Sequence, residues 1–450
     1  MIYYRKLYAY LLEWKKEKGR KPLILRGARQ VGKSTLVNDF AKEFKFFISL
    51  NLEKGEDRKI FDSLSNIKDI INSIFLREGI PFTDQPTLIF LDEIQESPEA
   101  VSQLRYFHEE YPELYVIAAG SLLEFALKKI PSFPVGRVEQ VVLHPFDFDE
   151  YLLALGRQDV LDELDQIPLN NYAHDTIMKL FHDYAVIGGM PEVIQRYADE
   201  KNFMNLGGIY SNLWQSYRDD IEKYGSNDTE RKILRHIIDT APYEKERITM
   251  AGFGNSQYRS REVGEALRAL DMARIIQVIY PTTTLQPPVI PDLKRKPRLQ
   301  FLDTGLLNNA LGVQSEIIGL EELNSFHRGR LIQHLAAQQF QAQTTTTLYK
   351  PLFWVREKAN SNAEVDLIYQ YKKYIIPVEV KSGAQGTLRS LHQFVERSEH
   401  KIGIRLLANR FSLEKTKTPG GTPYLLMNMP YYASTKIHHY AEWLISQNRF

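Results

Sequence analysis

Short apolar runs punctuate the first third of the chain. Leu23–Leu25, Phe46–Leu52, Thr87–Glu93, Tyr115–Ala119 and Val138–Leu143 carry the nearly unbroken hydrophobicity of strands buried on both faces of a parallel sheet. Helical spacing fills the intervals. Tyr3, Leu7, Leu11 and Trp14 fall on one face of a first helix, a second helix runs from Lys33 to about Phe44, and isoleucines with Phe75 recur at helical spacing between Ile67 and Ile80. Alternating strands and helices predict an α/β fold. Further on the pattern changes. Helices at Arg231–Thr240 and Arg261–Leu270 precede two short strands, Ile275–Tyr280 and Arg298–Leu302. A third pattern follows: a helix over Arg328–Gln341, then strands at Phe353–Arg356, Glu364–Tyr369 and Tyr374–Val380, with a closing helix between Tyr432 and Trp443.

A length of 450 residues allows two to four domains, each able to bury its own core. The net charge of +1 excludes a global field toward nucleic acid or anionic lipid, so any basic surface has to be local. With no cysteine, disulfides, thiolate zinc sites and cysteine nucleophiles are excluded. The first twenty residues are basic and amphipathic without the apolar core of a signal peptide, and no apolar run approaches a membrane span. The expected location is cytoplasmic, with no membrane partner.

The first chemical signal follows the first apolar run. Gly27-Ala28-Arg29-Gln30-Val31-Gly32-Lys33-Ser34 fits G-x-x-x-x-G-K-[ST], with Thr35 next. Two glycines let such a loop curl so that backbone N–H groups cradle phosphate oxygens, and the helix starting near Lys33 adds the positive end of its dipole. Lys33 is expected to reach the β- and γ-phosphates of a nucleoside triphosphate, and the Ser34 hydroxyl to hold Mg2+. Downstream, the strand Thr87–Glu93 ends in two acids at its carboxyl end, where ligands sit in open α/β sheets. Asp92 is placed to hold Mg2+, directly or through water, and Glu93 to polarise the attacking water as general base. The Tyr115–Ala119 strand ends in Gly120-Ser121, whose hydroxyl either senses the γ-phosphate or caps a helix over residues 122–128. Arg137, after Gly136, is either a solvated loop arginine or a group reaching the γ-phosphate of a neighbouring subunit.

These motifs, with the AAGS strand end and the GR-V…L-HPFDFDEYL run, resemble a prokaryotic family of AAA-type P-loop ATPases. The resemblance implies an ATPase core over 1–144, a helical lid over 145–224, a winged helix over 225–310 and a C-terminal α/β domain over 325–450 resembling restriction endonucleases. It places Gly188-Gly189-Met190-Pro191-Glu192 (G-G-x-P in the family) against the base side of the nucleotide, with Pro191 stiffening the turn; a plain helix–helix turn is the alternative. It puts Arg261–Leu270 in the place of a recognition helix. Arg259, Arg261 and Arg268, with Lys294, Arg295, Lys296 and Arg298 near the wing tip, are then candidates to neutralise DNA phosphates. The Phe301–Leu307 run matches the family's junction into the last domain.

In that last segment Asp366, then twelve residues, then Glu379-Val380-Lys381 fits D…E-x-K. Glu379 and Lys381 are two apart on one strand and share a face, and Asp366 on an antiparallel neighbour can meet them. Two carboxylates placed so would hold Mg2+ against a scissile phosphate, with the lysine orienting water. Gln393 on the following helix is a candidate polar partner. Gln333 stands where the family usually carries a glutamate on the opening helix, and it lacks the charge a metal site uses. An ordinary half-exposed hairpin, or the same fold without catalysis, are the competing readings. The 11 histidines show no metal-ligand spacing, and His438-His439 reads as surface.

The expected function is an Mg2+-dependent ATPase acting on DNA, its last domain gripping or cutting. The alternative is an ATP-driven signalling switch that engages a protein partner and whose nuclease-like domain is inactive. A basic stripe joining wing and tail favours the first, an apolar exposed patch on the wing the second. If Arg137 acts in trans, a homo-oligomer is implied.

Overall fold

The computed structural model describes residues 3–82, 85–121, 133–223, 225, 227–244, 246–314, 328–346, 349–357, 363–381 and 387–447. The chain forms two compact units. The first is Met1–His144 with Met272–Arg274 and a stretch beginning at Thr344, and the second takes the rest.

In the first unit, strands β1 (Leu23–Arg26), β2 (Phe46–Asn51), β3 (Thr87–Asp92), β4 (Tyr115–Ala119) and β5 (Glu139–Val142) form one sheet in the order β2-β3-β4-β1-β5. Every pairing is parallel, as the unbroken apolar runs predict. On one face Ile48, Leu50, Ile89 and Leu91 pack with Ile70 and Ile74 of the helix Ile67–Glu78. That helix starts where Asn66 accepts from the Lys68 N–H at 2.8 Å and stops at Gly79, whose φ of 63° ends helical geometry. The helix Pro98–Glu110 starts likewise on Ser97, whose hydroxyl accepts from the Ala100 N–H. Lys6–Lys16 buries Leu7, Leu11 and Trp14, and the Trp14 ring lies 6.4 Å from Phe40 and 6.1 Å from Tyr115. The second helix ends at Phe40 and tightens into a 3-10 turn over Ala41–Glu43, short of the expected Phe44. The helix expected over 122–128 lies outside the described residues.

The second unit opens with helices from Phe148–Ala154 through Asp228–Thr240, and Ser260–Met272 follows. Strands β6 (Ile276–Ile279) and β8 (Arg298–Phe301) then pair antiparallel as an isolated ribbon. Between them β7 (Pro281–Thr282) leaves the ribbon and pairs in parallel with β9 (Leu352–Val355). It thereby becomes the edge of a seven-stranded mixed sheet completed by β10 (Glu364–Tyr371), β11 (Tyr374–Val380), β12 (Ile402–Leu407), β13 (Ser412–Lys417) and β14 (Pro423–Pro430), in the order β13-β14-β12-β11-β10-β9-β7. The opposite edge, β13, carries Glu414, Lys415 and Lys417 exposed, charges that discourage edge-to-edge pairing.

Two glycine motifs of this unit interlock around one carboxylate. Asp303, fully buried, accepts from the Gly189 N–H at 2.5 Å, from the Leu306 N–H at 3.1 Å and from Gln338 Nε2 at 3.3 Å. A Cβ on Gly188 would overlap the Asp303 carboxylate, one on Gly189 the carbonyl oxygen of Phe146, and one on Gly305 the carbonyl oxygen of Ile187. Close backbone approach therefore accounts for all three glycines. Burial pushes the Asp303 carboxyl up from 3.8 to about 6, against the lowering effect of its N–H donors. The native state thus holds this proton more tightly than the unfolded chain. The group's stabilisation is full below the unfolded value and is lost as pH rises through about 6. The difference is worth ~3 kcal/mol. In urea titrations, the stability of the parent minus that of Asp303→Asn should fall by about this amount between about pH 4 and 7; a pH-independent difference would show that the carboxyl titrates normally.

Candidate functional site

The carboxyl ends of β1, β3 and β4 bring the predicted nucleotide-site residues together. Gly27 leaves β1 with φ 150°, and a Cβ there would lie 2.5 Å from the Leu143 carbonyl oxygen beyond β5. Gln30 (φ 63°) and Gly32 (φ 93°) are also left-handed, so the loop curls back onto the helix Lys33–Phe40. Ala28 and Val31 are buried, Arg29 is half-buried, and Gln30 and Thr35 are exposed. The Lys33 ammonium, itself buried, turns into the loop and donates to the carbonyl oxygens of Gly27 at 3.0 Å and Ala28 at 2.9 Å.

Ser34 Oγ donates to Asp92 Oδ2 at 2.7 Å, joining the two groups expected to hold Mg2+. Burial pushes the Asp92 carboxyl up, opposed by the Ser34 hydrogen bond. A hydroxyl and a carboxylate side by side at a phosphate loop are the hard oxygen donors Mg2+ takes, so this pair fits the ion. Glu93 sits at φ 51°, a left-handed position that turns its side chain away from the strand's alternation. Its Oε2 accepts from Gln95 Nε2 at 2.6 Å. Among the described residues Gln95 Oε1 is buried without a hydrogen-bond partner, and it abuts Gly120, where a Cβ would collide with it. Ser121, also buried, follows at the end of β4.

Two residues near this site escape sequence reasoning. Gln95 is one. The other is Arg5, which donates to the Val31 carbonyl oxygen at 2.9 Å and to that of His144 at 2.5 Å, bracing the loop from the first helix. A basic residue at a helix start carries no sequence signal for this task.

Arg137 is not brought to its own phosphate loop. In the parallel register Leu23 pairs with Glu139 and Arg26 with Val142, so Arg137 lies at the amino edge of the sheet and Gly27 at the carboxyl edge. Six residues of register separate the two levels, roughly 20 Å. Arg137 Nε instead donates to Glu109 Oε1 at 2.7 Å. The register excludes action in cis.

In the second unit, Pro191 occupies the first turn of Pro191–Glu200. The preceding glycines of its motif are occupied with Asp303 and Phe146. The expected DNA-facing cations divide. Arg259, Arg261, Arg268, Lys294 and Lys296 are exposed, although Arg261 pairs with Glu265 at 2.9 Å. The expectation for Arg295 and Arg298 is corrected. Arg295 binds Asp292 Oδ2 at 2.9 Å and the carbonyl oxygens of Arg356 and Glu357. Arg298 forms an ion pair with Glu364 and donates to the Asp366 carbonyl oxygen at 3.2 Å. Both point into their own unit because β7 ties the ribbon to the sheet edge.

The C-terminal trio does assemble. Leu367 pairs with Val378 across antiparallel β10 and β11, which sets Asp366 opposite Glu379. Asp366 Oδ2 accepts from the Val380 N–H at 2.9 Å, and Lys381 Nζ lies 2.6 Å from Glu379 Oε1. Burial pushes both carboxyls up, and for Glu379 the Asp366 charge adds to it. Gln333 donates to the Asp366 carbonyl oxygen at 3.1 Å, and Gln393 accepts from Arg356 at 3.3 Å. His438 Nδ1 lies 3.2 Å from the Tyr369 hydroxyl. Among the described residues, no group of three or more His, Asp or Glu side chains is arranged to hold a metal ion. Of the carboxylates expected to hold Mg2+ here, Asp366 faces Arg298 and Glu379 faces Lys381.

A curled loop at the end of β1, an acid pair at the end of β3 and an all-parallel sheet define a P-loop nucleotide-binding fold. Residues 19–152 match the family model of an AAA domain. Two further models, each described as a domain of unknown function, match residues 178–317 and 328–422. No curated protein matches the chain. Similar solved structures include a Walker-type ATPase of Pyrococcus abyssi (14% identity, 69% of this chain and 96% of that one, TM-score 0.44). Others are the Holliday junction branch migration motor RuvB of Thermotoga maritima (16%, 65% and 93%, TM-score 0.27) and the Orc1 protein of Aeropyrum pernix in complex with DNA (14%, 70% and 92%, TM-score 0.27). Among the described residues no helix is long and apolar enough to cross a membrane.

The Gln95–Gly120 packing is directly testable. Gly120→Ala should push the Gln95 amide off Glu93 while leaving the fold intact, because the clashing atom ends a flexible side chain. Nucleotide turnover should drop about tenfold with affinity held, in steady-state phosphate release against nucleotide titrations.

Proposed function

We propose that the chain binds ATP with Mg2+ at residues 27–35 and hydrolyses it, with Glu93 as general base. The observation that supports this most is the convergence at one sheet edge of Lys33, the Ser34–Asp92 pair and Glu93. Lys33 now spends its charge on loop carbonyls, and phosphate oxygens offer it a stronger, charged acceptor in the same place. Ser34 and Asp92 would hold Mg2+, which when bound neutralises charge on the β- and γ-phosphate oxygens. Glu93 accepts the proton of the attacking water, oriented by the Gln95 amide. Arg137, held by Glu109 at the far edge of the sheet, would reach a γ-phosphate only in a neighbouring copy of the chain, so that role would require a homo-oligomer.

Lys33→Ala should weaken ATP binding about a hundredfold, since a charge and its hydrogen bonds are lost together. Glu93→Gln should keep affinity within about threefold and lower kcat by about 10² or more, because an amide is not a base. Equilibrium binding of a labelled ATP analogue and phosphate-release assays separate the two; parental turnover in Glu93→Gln would remove the base assignment.

For the second unit the wing favours a protein partner over DNA. Two of its four expected phosphate-binding cations, Arg295 and Arg298, are committed internally. The segment between β7 and β8 instead exposes Ile290 and Leu293, at 60% and 70%, beside Lys294 and Lys296. Metal-dependent cleavage at Asp366, Glu379 and Lys381 gains no support from carboxylates already ion-paired. Steady-state ATP hydrolysis with and without duplex DNA, at low and moderate salt, tests this. Turnover indifferent to DNA is expected. Strong stimulation that salt abolishes would restore DNA as the working partner.

A further inference from the structure

Asp366, Glu379 and Glu364 lie among three cations supplied by the same unit. Arg298 Nη2 pairs with Glu364 Oε1 and stands 4.0 Å from Asp366 Oδ1, while Nη1 holds the Asp366 carbonyl oxygen. Its guanidinium carbon lies 4.3 Å from the Phe353 ring centroid, so the aromatic face fixes the plane of the fork. Arg247 Nε binds the other Glu364 oxygen at 3.0 Å, and Lys381 covers Glu379 Oε1. Glu246 adds a further negative charge acting on Arg298. Among the described residues, Glu379 Oε2 is a buried oxygen left without a hydrogen-bond partner.

We propose that this cluster is an electrostatic latch, in which Arg298 of the β6–β8 ribbon takes the place a divalent cation would need and thereby fastens the ribbon to β10. The charge balance supports it. Glu364, Asp366, Glu379 and Glu246 already face Arg298, Arg247 and Lys381, so the chain itself offsets most of the negative charge that would attract a divalent cation. Geometry agrees with it. Asp366 Oδ2 is taken by the Val380 N–H and its Oδ1 faces Arg298 at 4.0 Å, while Glu364 is turned toward two arginines and Glu379 Oε1 toward Lys381, which leaves too few uncommitted oxygens for a hard cation that demands near-octahedral oxygen donors. The latch explains a position the D…E-x-K pattern leaves open. Gln333, in the place of a family glutamate, donates to the Asp366 backbone and adds no further negative charge to the cluster. The chemistry of the site is thus cohesion between two segments of the second unit, independent of the nucleotide reading above.

The test uses Mn2+ alone, without nucleotide, and the full chain. Isothermal titration of the parent and of Asp366→Asn should give the same Mn2+ stoichiometry, because Asp366 holds no metal while Arg298 is present. Arg298→Gln should gain one Mn2+ equivalent, lost again in Arg298→Gln/Asp366→Asn, and Arg298→Lys should stay closed. Far-UV circular dichroism checks that each variant is folded. A Mn2+ equivalent in the parent that Asp366→Asn removes would overturn the proposal, and so would a folded Arg298→Gln that gains none. If Arg298→Gln fails to fold, the parent against Asp366→Asn and the behaviour of Arg298→Lys decide it alone.

Discussion

Parallel pairing of β1 between β4 and β5 is the constraint from which the nucleotide edge follows. Because all five strands of that sheet run the same way, every carboxyl end emerges on one side, and the loops leaving them have no choice but to share it. The same pairing brings the Leu143 carbonyl against Gly27, so that only a glycine can begin the phosphate loop there. It also sends Arg137 to the far edge. One hydrogen-bond register thus assembles the loop and disqualifies the arginine from serving it.

The second unit is organised by buried carboxylates rather than by a ligand edge. Asp303 collects backbone donors from two glycine turns far apart in sequence, and its desolvation is tolerated because those donors approach more closely than any side chain would permit. Asp366 and Glu364 do the corresponding work at the ribbon, with guanidinium groups in place of amides. Breaking such a pair from one side strands a buried charge, which is why these contacts hold segments together more firmly than their net stabilisation suggests.

The two kinds of site imply a division of labour within the chain. In the first unit the polar groups at the loop are held by exchangeable partners. Lys33 sits on carbonyls, Ser34 on Asp92, and Glu93 on one amide, each an arrangement that a phosphate group or water can replace. In the second the polar groups are committed to charged or multiple partners.

Much of this was legible in the sequence. Unbroken apolar runs predicted β1 to β5 because strands buried on both faces have no polar side to show. The glycine–lysine–serine spacing named the phosphate loop because backbone curvature and the reach of two side chains dictate it. Alternation over β10 and β11 placed Asp366 opposite Glu379 because the strand period is two. Local pattern was blind where neighbours come from afar. Strands β12 to β14 and the helix Pro98–Glu110 were not foreseen, and β7 is two residues whose strand character exists only through β9. The G-G-x-P motif stood out by resemblance, but Asp303, more than a hundred residues later, decides what approaches its glycines. Arg298 reads identically in sequence whether it faces a DNA phosphate or a carboxylate. A charged side chain takes its role from the charges around it, and those were set by the tertiary structure alone.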